Sequence, residues 1–571
     1  MDSNASIKKE IRKHKRIVRR KEFLMLLKQP GLLFAIIFVF AVLVLFCIYP
    51  VVKLFFSCLT GENGQIDFSN IKYVFEKTDF FTALWNSVKL GAFVGVMATI
   101  VGYLYAFAIN RTSIPFKKFF NVMAMLPILS PPFVISLAVM LLFGRSGLIT
   151  KNLLGIRGSN IYGFTWLAIV QILSLFPLAY LNLKGMLESL DSSIENASRT
   201  LGASRLKVFV SVTLPLSLPG VLSSFLIVFA KSLCDFGNPQ VLAGDYDVLS
   251  VSAYLQIVGL FNLKTGSFIA LSILLPCMLA YIIQNYWVSK RSFVTVTGKA
   301  TGTVDVIDDR SIVIPLFIVI SLITLFTILM YGTVIYVSFV KTWGVNWSLT
   351  LDSYKFISKR GAGAIKDTLL LSCIATPITA LLGMLIAFLL VRKNFFGKKL
   401  MSVASIIPFA VPGIALGIGY IVAFNTKPIQ LTGTAVIIIV AMVFRTLSIG
   451  VETGSNSLRQ VDPSIEEAAV ILGASNSKTF FSISLPIMKS ALFSGLLNAF
   501  VRSMTSVSAV IFLVSVNWNL LTVSILSEIE SQRMSAASAY CVALMVMVVI
   551  AIGVLEAIVN GLFARRRKTY E

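Results

Sequence analysis

The chain has 571 residues, of which 57% are apolar and only 13% charged, a balance that excludes an ordinary soluble domain and makes a bilayer its solvent. Its formal net charge of +24 does not indicate nucleic acid, because Lys and Arg lie in short segments between apolar runs instead of clustering on one soluble face. The six cysteines are dispersed without a CxxC pair, and the single histidine, His14, lies in a basic arm, so neither a disulfide framework nor a metal site is expected.

That arm, residues 1–30 with its charges between Lys8 and Lys28, reads as an orientation signal. The first apolar run, near 32–52, has no small-residue cleavage site and reads as a retained anchor. Further apolar runs near 84–109, 119–143, 161–183, 215–237 and 266–288 complete a first half, 31–288. A polar linker, 289–311, carries Lys290, Arg291, Asp305, Asp308 and Asp309. The second half, 312–564, holds runs near 312–339, 367–391, 400–424, 432–455, 486–514 and 535–563, and a basic tail, 565–571, closes the chain. The expected fold is therefore an all-α polytopic membrane protein of about twelve spans. Most Lys and Arg then fall on the side of the two termini, which places both termini in the cytoplasm. Pro127, Pro131, Pro132, Pro408 and Pro412 are expected to break the third and ninth spans, either as a gate lining or as packing kinks. Phe80-Phe81 and the stretch from Trp343 to Trp347 read as interfacial belts.

The halves repeat. Asn86, Arg111, Pro127 and Pro131 keep one offset to Asp367, Arg392, Pro408 and Pro412, and Glu195, Gly202, Pro215 and Lys231 keep another to Glu466, Gly473, Pro486 and Arg502. The ten-residue difference falls in the loop around Gly144 to Gly158. Six spans per repeat is an even number, so the repeats are parallel, and a pathway between them is the natural inference.

Between the fourth and fifth spans of each half lies a segment that membrane crossing does not require. The first, about 188–215, reads Glu195-Asn196-Ala197-Ser198-Arg199-Thr200-Leu201-Gly202 and reaches Leu214-Pro215. The second, about 459–486, reads Glu466-Glu467-Ala468-Ala469-Val470-Ile471-Leu472-Gly473 and reaches Leu485-Pro486 at the same spacing. Asp191-Ser192 and Asp462-Pro463 supply cap signals, each glycine permits the turn that ends a short helix, and a second short helix carries an apolar knob of Phe209 or Phe480 and Phe481.

These segments resemble the coupling segment of ABC importer permeases, whose pattern is Glu-Ala-Ala, three residues, Gly, nine residues, Ile-x-Leu-Pro. The second copy fits with Ile483-Ser484-Leu485-Pro486; the first departs at Asn196 and has Val212 for Ile. The resemblance covers essentially the whole chain and implies two parallel six-helix repeats of importer-permease type. It implies coupling to a cytoplasmic ABC ATPase, as a dimer, through Glu195, Ala197, Gly202, Leu214, Pro215, Glu466, Glu467, Ala468, Ala469, Gly473, Leu485 and Pro486. An extracytoplasmic solute-binding protein, surrounding lipid and a bacterial plasma membrane complete the implied setting. There is no GxxxxGK[ST] phosphate loop, so ATP is expected in a partner subunit, with no catalytic residue, cofactor or metal in this chain.

The stretches Cys234 to Pro239 and Thr505 to Phe512 are similar to the ferric-iron branch of these permeases, with phosphonate and sugar-phosphate permeases as near relatives. Charges inside spans mark a candidate path, Lys231, Asp235, Arg445 and Arg502, because an ionised group in hydrocarbon usually faces a bundle interior or wet cavity. Lys231 and Arg502 are repeat mates that suit an anionic solute; equally, Lys231 and Asp235, four apart, suit mutual neutralisation on one helix face. A twelve-span secondary transporter gives no reason for two matched Glu…Gly…Leu-Pro loops. A polytopic enzyme needs a cluster of catalytic carboxylates or histidines, which the sequence does not show, and a channel needs a ring of repeated filter residues.

Overall fold

The computed structural model describes residues 29–60, 65–156, 158–190, 192–284 and 306–567. The basic arm, most of the linker and the end of the basic tail lie outside the described residues. In hydrocarbon every backbone polar group needs a partner within its own segment, and the chain is accordingly helical. The principal helices are α1 (Pro30–Leu59), α2 (Phe80–Arg111), α3 (Lys117–Leu129), α4 (Val134–Phe143), α5 (Phe164–Ser189), α6 (Ser192–Thr200), α7 (Arg205–Leu233), α8 (Leu263–Ile283) and α9 (Arg310–Ser338). After a hairpin of β1 (Val340–Thr342) and β2 (Asn346–Leu349) come α10 (Asp352–Arg392), α11 (Lys398–Ala410), α12 (Gly413–Phe424), α13 (Ala435–Arg459), α14 (Ser464–Ile471), α15 (Ser477–Ile487), α16 (Lys489–Met504) and α17 (Met534–Arg567). Among the described residues, ten helices are long and apolar enough to cross a membrane, or up to 12 if each bent pair is one span.

Three expectations need correction. The third and ninth spans do break, but Pro127 and Pro408 lie inside α3 and α11. The breaks fall where Pro131 and Pro412 force the preceding residue out of helical geometry: Ser130 and Val411 are extended, with ψ of 157° and 129°, and α11 and α12 meet at 111°. The fifth span begins ten residues earlier than expected and runs as one helix from Arg205 to Leu233, whereas its repeat bends by 80° between α15 and α16. The eleventh helix ends at Met504, so residues 505–514, apolar enough to read as membrane, form turns and a single 3-10 turn, Val510–Phe512, instead.

The chain forms two compact units. Within residues 55–365 and 519–549, α2 packs along α5 and α7. Gly102 permits that approach, since a Cβ there would lie 2.7 Å from the Tyr180 backbone nitrogen. Buried Tyr105 packs against Phe176 and Tyr180, and its hydroxyl donates to the Ile320 carbonyl (3.1 Å) and pairs with the Thr324 hydroxyl (2.8 Å). Within 29–54, 366–518 and 550–567, α13 packs along α16, and Phe46 of α1 stacks on Phe444 and packs at a tilt against Phe424. Tyr420, fully buried on α12, donates to the Phe46 carbonyl at 3.0 Å.

Candidate functional site: the paired coupling segments

The loops after α5 and α13 fold alike. α6 and α14 each run into a glycine at φ +87°, Gly202 and Gly473, and a Cβ at either would meet nothing within 4 Å. Backbone conformation alone therefore selects glycine there. Ala203 and Ala474 then donate back to Ser198 and Ala469, which closes the turn. The hydroxyls of Ser204 and Ser475 accept from the amides of Lys207 and Lys478, each at 3.3 Å, and cap the helix that follows, which is the long α7 in one copy and the short α15 in the other, so the expected second short helix is separate only in the second copy. Asp462 caps α14 by accepting from the Ser464 amide at 2.9 Å, and that bond holds its carboxyl below the usual carboxylate range. Its counterpart Asp191 lies outside the described residues.

The glutamates do not face outward. Arg111, the last residue of α2 and 2% exposed, places Nη1 3.0 Å from Glu195 Oε2 and donates through Nη2 to the Leu187 carbonyl at 3.0 Å. Thr213, in α7, donates to Glu195 Oε1 at 2.7 Å. In the other copy Arg392, the last residue of α10, places Nε 2.9 Å from Glu466 Oε2 and donates through Nη2 to the Val461 carbonyl at 2.8 Å. Ser484 donates to Glu466 Oε1 at 2.8 Å. Each glutamate is thus a clasp that fastens the short helix to the end of one long helix and to the start of the next.

The family spacing of Glu to Gly falls on Glu467, and in the first copy on Asn196; both are exposed, while Glu195 and Glu466 are the clasps. Ala197, Ala468, Gly202, Gly473 and Pro215 are also exposed, Leu214 is 37% exposed, Ala469 is buried, and Leu485 and Pro486 are half-buried. The expected knob is reassigned. Phe209 packs on Phe107 (5.2 Å between centroids) and Phe480 on Phe388 (5.2 Å), so both turn inward. The apolar groups that face out are Leu201 (89% exposed) and Leu206 in one copy, and Ile471, Leu472 (87%) and Phe481 in the other. In the sequence Arg111 and Arg392 stand out only as repeat landmarks, Ser484 only as a motif position, and Thr213 not at all. The signal was present in the matched offsets, since each arginine recurs with its glutamate.

The intramembrane charges divide by half. Asp235, just past α7, accepts from Gln171 Nε2 (3.0 Å) and Asn238 Nδ2 (2.8 Å), and Ser136 donates to Asn238 (2.7 Å), so an amide network across the bundle satisfies this carboxylate. Lys231 is half-buried on α7; Arg445 on α13 and Arg502 on α16 are half-buried in the other unit. Cys234 and Cys277, far apart in sequence, bring their sulfurs to 3.6 Å, a proximity that spacing does not show.

Helices of this length and polarity, with two matched loops clasped to them, define a polytopic membrane transport subunit. The chain belongs to the family of binding-protein-dependent transport system inner membrane components, whose profile matches residues 98–294 and 379–569, once in each half. It is the transmembrane permease subunit of an ABC importer and a multi-pass inner-membrane protein. It is 38% identical over 520 residues to the ferric transport system permease protein FbpB of Actinobacillus pleuropneumoniae, covering 89% of this chain and 75% of that one. A Haemophilus influenzae relative named as a ferric transport permease, FbpB 1, is 38% identical over 483 residues (82% and 76%). Similarity to the molybdenum transport system permease protein ModB of Escherichia coli is 33% over 159 residues, 27% of this chain and 69% of that one.

Proposed function

We propose that the chain is the membrane path of a ferric-iron importer. What carries this reading is breadth: the likeness to a ferric transport permease extends over 89% of the chain, whereas the molybdenum permease likeness covers 27%. An extracytoplasmic binding protein delivers the solute, and a separate ATPase dimer consumes ATP, so this chain needs no cofactor or nucleotide site of its own. The ATPase docks on the outward faces of α6 and α14, one face per half, with Leu201, Leu206, Ile471 and Leu472 entering its clefts. Both termini and these faces are cytoplasmic, in keeping with the Lys and Arg distribution. The clasps make each short helix move with the long helices it is fastened to, so closure of the ATPase reaches those helices as rigid-body movement. Lys231, Asp235, Arg445 and Arg502 lie along the path.

A second reading, import of a phosphonate or sugar phosphate, is favoured by the two arginines of one unit. The discriminating experiment is uptake by proteoliposomes containing the chain, its ATPase and its binding protein, offered ferric iron, 2-aminoethylphosphonate or hexose phosphate. ATP-dependent iron uptake sustains the first reading; uptake of a phosphorus compound alone replaces it with the second.

A further inference from the structure

We propose that an apolar groove between α1, α10 and α13 holds one acyl chain of an anionic phospholipid, which thereby packs against the second coupling segment. The groove and its occupant stand on geometry and charge; the consequence for ATP hydrolysis rests on the importer reading above.

The groove has a volume of about 760 Å³ and lies wholly within one unit. Sites for small apolar ligands usually measure about 300–1,000 Å³. Its floor runs along α1 from Gly31 to Phe46, which at about 1.5 Å per residue is about 22 Å, more than the ~15 Å of hydrocarbon in one leaflet. Its walls are Ile374 to Leu389 of α10 and Val436 to Phe444 of α13. The rim opens towards lipid: Phe34 is 71% exposed, and Ile378, Leu381 and Val436 are exposed too. Among the described residues that line the groove, Ser477 carries the only polar side chain. Water therefore lacks the partners it needs to fill the space, and an extended peptide would strand its backbone there. A hydrocarbon chain meets neither cost, and the surrounding bilayer supplies it.

The mouth beside the coupling segment suits a negative headgroup. The first turn of α1 lies on α15, where a Cβ on Gly31 would stand 3.7 Å from Ser477 Oγ. At this end Lys393 holds its Nζ 5.4 Å from the ring centroid of Phe388, a wall residue, and exposed Lys478 follows Ser477. The nearby acid, Glu466, is taken up by Arg392. The basic arm, with its charges between Lys8 and Lys28, joins α1 at Gln29, two residues before the groove begins. Cations gathered at a membrane surface attract anionic lipid. Phe480, packed on Phe388, and Phe481 close the same end, so an acyl chain in the groove supports α15 from behind.

The test is photolabelling of the full chain in phosphatidylcholine nanodiscs that contain a trace of phosphatidylglycerol with a photoactivatable acyl chain, the adducts being located by peptide mass spectrometry. Adducts are expected on the lining stretches of α1, α10 and α13, and unlabelled phosphatidylglycerol displaces them at about fivefold lower concentration than phosphatidylcholine, or lower, the effect of one basic residue at the surface. Ala35→Trp and Val440→Trp fill the groove from opposite sides, and each is expected to cut these adducts about tenfold, the loss of contact with about two methylenes. Labelling no denser than at exposed Leu275 and Leu322, which lie outside the groove, overturns the site, as do undiminished adducts in both variants at native helicity. Equal displacement by the two lipids overturns the anionic headgroup. A photocrosslinker at Leu385 that captures residues 1–28 or a second copy of the chain overturns the lipid as occupant. In the assembled importer, ATP hydrolysis is expected to rise with phosphatidylglycerol for the native chain and not for Ala35→Trp; an equal rise in both refutes the link to coupling. No ATP hydrolysis by the native complex in any lipid refutes the importer reading and leaves the groove labelling standing.

Discussion

Glu466→Gln removes one charge from a buried pair while keeping the side chain's shape. Arg392 and Glu466 are 9% and 10% exposed at a separation of 2.9 Å, so solvent screening is small. Breaking such a pair from one side leaves an uncompensated charge at a cost of about 3–5 kcal/mol; the Val461 carbonyl still holds Arg392, which puts the expected cost near the lower end, about 3 kcal/mol. Arg392→Gln costs about the same, since it strands the carboxylate, and the double variant costs less than the sum by about 2 kcal/mol because nothing charged remains unpaired. The assay is reversible SDS unfolding in mixed micelles, followed by circular dichroism, for the four members of the cycle. Additive single costs, or a Glu466→Gln cost below about 1 kcal/mol, refute the clasp.

Other outcomes follow from the same geometry. Gly202→Ala and Gly473→Ala each cost about 1 kcal/mol, equally, because both glycines share φ +87° and nothing crowds a Cβ; unequal unfolding costs contradict this. The double variant Gly202→Asp, Gly473→Asp inserts fully yet loses transport-coupled ATP hydrolysis, and full stimulation of the co-purified ATPase contradicts the docking faces. Gly102→Leu drives a side chain into the Tyr180 backbone and costs more than 3 kcal/mol in the same unfolding assay, against under 1 kcal/mol if α2 and α5 separate freely. For pH, the Asp462 carboxyl titrates below its unfolded value, so its cap is present above the usual carboxylate range and is lost as pH falls through the lowered value. Amide protection in α14 is therefore constant from pH 8 to 5 in hydrogen exchange, and loss of protection near pH 6 excludes Asp462 as the cause.

Spans, repeats and paired loops were readable because each rests on a local rule: apolar length, a constant offset, a cap, and a glycine at a forced turn. Pro131 and Pro412 announced breaks, but a proline in the sequence does not by itself say whether its helix breaks, and Pro127 and Pro408 stay within their helices. Run length misplaced the end of the eleventh helix, since buried turns can be as apolar as spans. The clasps were signalled only by the recurrence of each arginine with its glutamate. Glu195 and Glu466 looked like exposed motif residues, and only the fold brings Arg111 and Arg392 from the previous long helices onto them. Likewise Phe209 and Phe480 looked like knobs until Phe107 and Phe388 gave them partners, which left Leu201 and Leu472 as the outward groups.

The docking face is tested most directly by a photocrosslinking residue at Leu472 in the assembled importer, with Phe480 as the inward control. The account predicts an adduct with the ATPase from position 472 that changes yield with ATP, and none from position 480. An adduct with lipid or with this chain alone from 472, or equal ATPase adducts from both positions, contradicts it.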